Sequence, residues 1–349
     1  MAGIQFESWE QHARFHNPLK GGELDAQRIE VRRDPLTGHQ SIFNEGLEDK
    51  VSILFPETDY GYLEKRAEET LGSCFLCDGR WRTTTPRYDS ELIAEGRLVK
   101  GEAVLFPNLF PLSAWHAVVM VGNRHFRTLD DFPVSLLRDA FSVSLELIRR
   151  CHKAEPGIGY FTINANFLSP AGASVFHPHL QILGSPRPGT HHTLLLEQST
   201  NYRRESGSCY WHDLVEKERE LGLRRLGSLG SSEWFTAFSP VGANEVNAVW
   251  PDRGHFLEWG DEDIEAMAQG VSRALRAYHA MKFSTFNFSC FSGALGRVSP
   301  EFRCFLRLIN RQNVTPHYRT DDYYFQKLLK NEIIVKRPEA LASFMRGYF

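Results

Sequence analysis

The sequence predicts an α+β protein made of two tandem halves, each with the order strand–strand–helix–strand–strand. Two observations support this fold class. First, short apolar segments surround one long amphipathic helix pattern, and the same order recurs later in the chain. Second, the halves align, so that His125-Phe126 matches His255-Phe256 and residues 176–183 match residues 302–309. Self-similarity of this kind indicates an internal duplication.

The first half contains four predicted strands and one predicted helix. The strands cover residues 103–106, 116–121, 160–166 and 176–183. The helix opens at Asp130-Asp131, where two carboxylates suit a helix N-terminus. Its apolar side chains recur every three or four residues, which predicts one buried face: Leu136, Leu137, Ala140, Phe141, Val143, Leu147 and Ile148.

The second half repeats these elements. Its predicted strands cover residues 234–238, 246–250, 283–290 and 302–309. The helix of residues 261–281 carries an apolar stripe at the same spacing: Ile264, Met267, Ala268, Val271, Ala274, Leu275 and Tyr278. The last strand has no histidines, so this half is predicted to be a scaffold or a substrate wall rather than the chemical half.

The remaining segments are less regular. Residues 1–30 predict an arm or an initial helix, and residues 57–71 a short charged helix. The Gly/Ser cluster at residues 227–232 is the best linker candidate. We therefore expect two domains, an N-terminal catalytic half of residues 1–226 and a degenerate C-terminal half of residues 227–349.

Composition excludes several classes of protein. The 349 residues are 42% hydrophobic and 24% charged, which is typical of globular proteins, and the net charge of −3 gives no indication of a nucleic-acid partner. No run of about 18 apolar residues predicts a membrane span, and the N-terminus lacks a signal-peptide pattern. Six cysteines do not form a disulfide framework. We expect a cytoplasmic protein with no nucleic-acid and no membrane partner.

The stretch around residues 176–183 is the candidate site. Because side chains alternate along a strand, His177, His179 and Gln181 are predicted to share one polar face. Upstream, Pro170, Gly172 and Ser174 predict a loop that leads into this strand. The alternative is a pair of buried histidines that bond only to the backbone.

His179 is the candidate nucleophile. A neutral imidazole can attack phosphorus and form a phosphoramidate, which divides one displacement into two easier steps. The phosphoryl oxygens then need hydrogen-bond donors nearby. Gln181, Ser174 and Asn166 supply neutral donors, and the backbone amides around Gly172 supply more.

These residues resemble a known family. The H-P-H-x-Q run, with Ser174 three residues before its first histidine and Asn166 eleven before it, is similar to that of galactose-1-phosphate uridylyltransferases, which belong to the histidine-triad superfamily. The resemblance implies two tandem histidine-triad-like halves with antiparallel sheets flanked by helices. It also implies that His179 carries a nucleoside monophosphate, and that Gln181 and Ser174 hold the phosphoryl group beside Asn166.

Other segments extend the resemblance. The run from Arg32 to Gly38 resembles an R-R-x-P-L-T segment that lies near the nucleotide phosphates, which makes Arg33 a candidate phosphate ligand. The C-terminal segment departs from the family pattern at Gln326-Lys327. The sequence therefore does not decide whether galactose 1-phosphate or another phosphate compound accepts the nucleotidyl group. Members of the family are often dimers, and the resemblance therefore also implies a homodimer.

Cys74 and Cys77 form a C-x-x-C pair, which is half of a structural zinc site. The resemblance supplies the other two ligands, His125 and His177. The alternatives are two unligated cysteines in a turn, or His116 as a competing ligand. A Cys₂His₂ zinc site would fasten the N-terminal segment to the active strand.

Gln181 indicates the type of reaction. Histidine-triad hydrolases usually carry a third histidine here, and glutamine cannot donate a proton as a general acid. The sequence therefore predicts a nucleotidyltransferase that moves a nucleoside monophosphate from a nucleotide sugar to a sugar 1-phosphate. The alternatives are a phosphorylase of nucleotide sugars or dinucleoside polyphosphates that uses phosphate, and a zinc-stabilised nucleotide-binding protein without activity.

Overall fold

The computed structural model describes residues 3–48, 54–317 and 319–349. Its strands are β1 (Glu7–Asn17), β2 (Glu23–Arg33), β3 (Gln40–Asn44), β4 (Leu98–Lys100), β5 (Ala103–Pro107), β6 (Trp115–Met120), β7 (Tyr160–Phe167), β8 (His179–Ser185), β9 (Arg225–Leu229), β10 (Ser232–Thr236), β11 (Val246–Trp250), β12 (Phe286–Phe291), β13 (Cys304–Asn310) and β14 (Asn331–Ile333). Its α-helices are α1 (Glu45–Glu48), α2 (Tyr60–Leu71), α3 (Trp81–Thr84), α4 (Val134–Ala154), α5 (Thr190–Ser206), α6 (Tyr210–Leu221), α7 (Asp261–Ala280), α8 (Tyr324–Lys327) and α9 (Pro338–Met345).

The predicted duplication forms one ten-stranded sheet. Its strand order is β4-β5-β6-β8-β7-β12-β13-β11-β10-β9, and all of its neighbouring strands are antiparallel. Each strand of the first half has a counterpart of the second half at the mirrored position, and the halves meet where β7 pairs with β12. The α+β fold of two antiparallel halves is thus confirmed.

Two long helices cover the sheet. Helix α4 buries the predicted stripe that includes Leu137, Phe141 and Ile148, and α7 buries the matching stripe that includes Met267 and Leu275. The two helices pack against each other, and a hydrophobic cluster runs through both halves. Full burial of each such side chain contributes about 2 kcal/mol, so this common cluster stabilises both halves together.

The N-terminal segment is a β-hairpin, so the expected arm or initial helix over residues 1–30 was wrong. Strands β1 and β2 pair along their whole length, from Glu7 opposite Arg33 to Asn17 opposite Glu23. Most side chains of β1 are exposed, and the strand therefore lacks the apolar alternation that would have predicted it. Strand β3 extends this sheet, and β14 adds to β3 in the parallel direction.

The predicted linker at residues 227–232 is instead a hairpin between β9 and β10. Gly230 has φ +50°, which suits the tight turn, and the strands bury Leu229 and Trp234. The division into domains of residues 1–226 and 227–349 stays a prediction, although that boundary lies inside β9.

Charged residues fasten the N-terminal sheet to the second half. Glu339 of α9 accepts hydrogen bonds from Arg32 at 2.8 Å and from Arg224 at 3.1 Å, and Arg224 also pairs with the buried Glu218 at 2.9 Å.

Among the described residues, no helix is both long enough and apolar enough to span a membrane.

Candidate functional site

The site lies on β8 and on its neighbour β7. Strand β8 begins at His179, two residues after the first histidine of the motif, because Pro178 has no N–H for the ladder. Ala165 pairs with Leu180, so Asn166 lies opposite His179 and on the same face of the sheet. Gln181 follows on that face, as predicted.

His179 is buried and held in one orientation. Its Nδ1 lies 2.9 Å from the backbone oxygen of His177, which can only accept a hydrogen bond. The proton therefore sits on Nδ1, and Nε2 keeps its lone pair. Burial lowers the pKa of His179, so the imidazole is neutral near pH 7.

The loop before β8 brings small groups beside Asn166. Leu168 adopts φ +67°, a conformation that is rare for a residue with a Cβ, and a short 3₁₀ turn follows at Ser169–Ala171. Gly172 has φ +88°, and a Cβ added there would lie 4.0 Å from the Asn166 amide nitrogen. Ser174 borders a cavity of about 460 Å³ that Arg66 also lines.

Two residues that the site prediction did not include contact its amides. His116 Nε2 lies 3.0 Å from Gln181 Oε1, and Asn287 Nδ2 lies 2.7 Å from Asn166 Oδ1. The sequence indicates His116 only as a competing metal ligand. Asn287 had no sequence signal of its own, because its place in the site depends on the pairing of β7 with β12.

The four predicted metal ligands lie together. Donor atoms of Cys74, Cys77, His125 and His177 are all within 4.8 Å of one another. Cys77 Sγ is 3.3 Å from Nδ1 of each histidine, and Cys74 Sγ is 3.9 Å from His177 Nδ1. This Cys₂His₂ cluster can hold a metal ion.

The surroundings of the cluster prepare both histidines as ligands. His125 Nε2 lies 2.9 Å from the Thr70 hydroxyl, and His177 Nε2 lies 2.9 Å from the Gly122 carbonyl, so each Nδ1 faces the sulfurs. Burial lowers the pKa of His177 to about 4, which keeps the imidazole neutral. Burial beside Cys74 raises the pKa of Cys77 to about 12, so a cation is what would stabilise two adjacent thiolates there.

Arg33 lies away from this strand. Its side chain is half exposed, 3.5 Å from Glu7, and it lines a cavity of about 850 Å³ with Asp34 and Tyr202. Within the described part of the chain, no hydrogen bond or ion pair connects Arg33 to His179.

The second half carries a different pair at the matching positions. Gln181 lies opposite Val118 on β6, and its counterpart Arg307 lies opposite Asn247 on β11. Arg307 Nε donates to the fully buried Glu245 at 2.8 Å. An ion pair therefore replaces the His116–Gln181 pair, and the role of this half as a scaffold or a substrate wall stays a prediction.

One sequence relative covers almost the whole chain. An uncharacterized protein of Archaeoglobus fulgidus is 30% identical over 329 residues, which is 94% of each chain. This chain belongs to the same family as that archaeal protein. No protein-family model matches the sequence.

Solved structures identify the fold of this family. An ADP-glucose phosphorylase from Arabidopsis thaliana with bound ADP-glucose superimposes with a TM-score of 0.69 at 18% identity, covering 91% of this chain and 98% of the plant chain. A uridylyltransferase mutant gives a TM-score of 0.66 at 17% identity, covering 91% and 97%. A GALT-like protein from the same plant gives 0.68 at 18% identity, covering 90% and 98%. This chain thus has the fold of these uridylyltransferase-like structures, as the resemblance of the H-P-H-x-Q run implied.

Proposed function

We propose that this protein is a nucleotidyltransferase that works through a covalent nucleotidyl-histidine on His179. One observation carries the proposal: the His179 Nδ1 proton is directed at a backbone carbonyl, so the Nε2 lone pair is left as the nucleophile. The uridylyltransferase-like fold supports nucleotidyl transfer as the class of reaction.

The proposed reaction has two displacements. In the first, Nε2 attacks the α-phosphorus of a nucleotide sugar, an N–P bond forms, and the P–O bond to the sugar 1-phosphate breaks. In the second, an oxygen of the acceptor phosphate attacks the same phosphorus, and the N–P bond breaks. His179 is then restored, and ping-pong kinetics follow.

Neutral donors hold the phosphoryl group in this proposal. The amides of Asn166 and Gln181 lie on the same face as His179, and Gly172 lies beside the Asn166 amide. We propose that Ser174, on the same loop as Gly172, adds its hydroxyl. Donors that are already in place stabilise charge on the phosphoryl oxygens without reorganisation during the reaction.

The metal in this proposal is zinc, held by Cys74, Cys77, His125 and His177 in a tetrahedral structural site. Two thiolates and two neutral imidazoles are ligands that zinc prefers, and four protein ligands leave no open position for substrate. Elemental analysis of freshly purified protein should find one zinc per chain. Protein that folds and works without zinc would contradict the assignment.

We propose a nucleotide sugar as donor and a sugar 1-phosphate as acceptor. The phosphorylase alternative has specific support, because one structure with this fold is an ADP-glucose phosphorylase with ADP-glucose bound. Product analysis separates the two reactions: inorganic phosphate as acceptor releases a nucleoside diphosphate, whereas a sugar 1-phosphate yields a new nucleotide sugar. Dinucleoside polyphosphates are a further donor to include.

Arg33 suggests a homodimer. Since the Arg33 side chain does not contact His179 within the chain and is half exposed, we propose that it reaches the nucleotide phosphates bound to a second copy. This proposal reconciles the predicted role of Arg33 with its position in the fold.

The deciding experiment uses UDP-, GDP- and ADP-sugars labelled at the α-phosphate. We expect acid-labile label on the wild-type protein and none on His179→Ala, and the nucleotide that labels best identifies the base. No label from any of these donors or from dinucleoside polyphosphates would overturn the proposal. Tight nucleotide binding without label would instead indicate the zinc-stabilised binding protein.

A further inference from the structure

We propose that His116 and Asn287 are positioning residues that fix the orientation of the two amides of the site. Each one accommodates only the carbonyl oxygen of its partner, so that Gln181 and Asn166 both present their NH₂ groups to the phosphoryl group. This inference rests on the proposed nucleotidyl transfer. It adds that the two oriented NH₂ groups favour the negatively charged oxygens of a phosphoryl group.

The orientation of Gln181 follows from a backbone N–H. Leu112 N–H, which can only donate, lies 3.1 Å from His116 Nδ1, so the imidazole proton sits on Nε2. Asn108 Nδ2 is 3.2 Å from the same Nε2 but is itself a donor, because Asn108 Oδ1 already accepts from Phe110 N–H at 2.8 Å. Gln181 Oε1, at 3.0 Å, is therefore the acceptor of the His116 proton.

The orientation of Asn166 follows from a guanidinium group. Arg311, paired with Asp321, donates through Nη1 to Asn287 Oδ1 at 2.9 Å. Asn287 Nδ2 then faces the Ala171 carbonyl at 2.8 Å and Asn166 Oδ1 at 2.7 Å. An arginine side chain only donates hydrogen bonds, and a backbone carbonyl only accepts them. The amides of Asn287 and Asn166 therefore each have one orientation that satisfies their neighbours.

Each of these two sets of hydrogen bonds ends at an NH₂ group that has no acceptor among the described residues. Neither Gln181 Nε2 nor Asn166 Nδ2 donates to a described residue, and neither is a buried atom without a partner. They lie on the face of His179, where a phosphoryl oxygen would accept from them. Rotating either amide by half a turn would place its oxygen toward the phosphate and its NH₂ against another donor.

The second half provides an internal comparison. Glu245 and Arg307 occupy the positions of His116 and Gln181 and satisfy each other as an ion pair. The sheet thus accommodates an ion pair at these positions of the second half, whereas the first half has a neutral amide there whose Nε2 has no acceptor among the described residues.

The test of His116 is a double-mutant cycle on the rate at which His179 takes up α-labelled nucleotide. We expect His116→Phe to slow labelling by about 10- to 100-fold, less than the ~100- to 1,000-fold effect of removing such a donor outright, because the Gln181 amide remains but is no longer oriented. His116→Gln, which keeps a donor near the Nε2 position, should recover most of the rate. In a Gln181→Ala background, His116→Phe should add almost nothing, because its effect acts through that amide.

The matching cycle pairs Asn287→Asp with Asn166→Ala. Asn287→Asp keeps a partner for Arg311 but puts an acceptor against Asn166, so labelling should slow, and the loss should vanish in the Asn166→Ala background. Thermal unfolding and metal content identify variants that do not fold. Losses that multiply in either double variant would overturn the proposal, since they indicate only a structural role.

The two proposals fail in distinguishable ways. If wild-type protein takes up label and the cycles are additive, nucleotidyl transfer stands and the positioning role is overturned. If wild-type protein takes no label, nucleotidyl transfer fails, and the same cycles are measured on the affinity for ADP. Coupling of His116 with Gln181 in that affinity would support the positioning role, and additive losses would overturn it.

Discussion

At the scale of single residues, Gln181 differs from histidine in one relevant property, which is that an amide cannot transfer a proton. In the proposed mechanism the nucleotidyl-histidine therefore waits for a phosphate acceptor, which brings its own nucleophilic oxygen. Water, in contrast, must lose a proton as it attacks. The Leu112 N–H, His116 and Gln181 are joined by hydrogen bonds, and none of these three groups is free to take that proton.

We expect Gln181→His to increase hydrolysis of the labelled intermediate by at least about tenfold, toward the lower end of general acid–base effects. The imidazole would accept the His116 proton on one nitrogen, and its other nitrogen, which carries the proton of the neutral ring, would supply the site with a proton donor. The rate is measured on protein that has been labelled, separated from free nucleotide, incubated in buffer and quenched at intervals. Gln181→Asn is the control, because it retains an amide that cannot transfer a proton, and equal hydrolysis in both variants would contradict the prediction.

The sequence predicted individual site residues unevenly. Alternation along the strand placed His179 and Gln181 on one face, and the family resemblance assigned Cys74 and Cys77 their histidine partners, which the structure brings together. Asn287 could not be predicted, because its contact with Asn166 depends on which strands pair at the centre of the sheet. Local patterns contain no information about such long-range neighbours.

At the scale of elements, the Cys₂His₂ cluster connects the segment after α2 to the start of β8. We expect Cys77→Ser to lose the metal and to lower the free energy of unfolding by at least about 3 kcal/mol, since a serine hydroxyl is a poor zinc ligand and metal binding is folding energy. Chemical denaturation with metal analysis checks this. Cys209→Ser is the control, because Cys209 is equally buried but lies outside the cluster; a similar loss there would refute the metal's role.

The strand β14 predicts a dependence on pH. Burial raises the pKa of Glu332 from 4.5 to about 7, while Gln326 Nε2 and the Ile333 amide donate to its Oε1. A carboxyl with a raised pKa in the folded state stabilises the protein below pH 4.5, and this contribution is lost as the pH rises through 7.

Glu332→Gln keeps the acceptor oxygen and removes the charge. Relative to wild type, this variant should gain about 2 kcal/mol of stability at pH 8 compared with pH 5. Urea unfolding of both proteins at the two pH values measures the difference. If the variant and the wild type differ in free energy of unfolding by the same amount at pH 5 and at pH 8, the Glu332 carboxyl ionises in the folded protein as easily as in the unfolded chain.

Elements with one buried face were predictable, whereas solvent-facing ones were not. The helices α4 and α7, four of the five strands in the first half (β5–β8) and four of the five in the second half (β10–β13) follow from apolar spacing. Strands β1 and β9 carry little apolar alternation, and their ladders to neighbouring strands hold them in place. The Gly/Ser composition of the β9–β10 turn therefore resembles that of a linker.

At the scale of the whole molecule, the proposed homodimer predicts complementation between inactive chains. His179→Ala and Arg33→Ala protein, refolded or co-expressed as a mixture, should recover about a quarter of wild-type activity. Half of the dimers are then mixed, and each has one site with both native residues. If Arg33 acts within its own chain, or not at all, mixing should restore nothing.

The order of synthesis adds a consequence of the parallel pairing between β3 and β14. Ser41, near the start of the chain, is matched with Glu332, near its end. The edge of β3 therefore stays unpaired until the segment that contains β14 has been synthesised, about 290 residues later along the chain. Chaperone capture of nascent chains should accordingly centre on the β3 edge, and loss of β14 would expose that edge again, however well the ten-stranded sheet is formed.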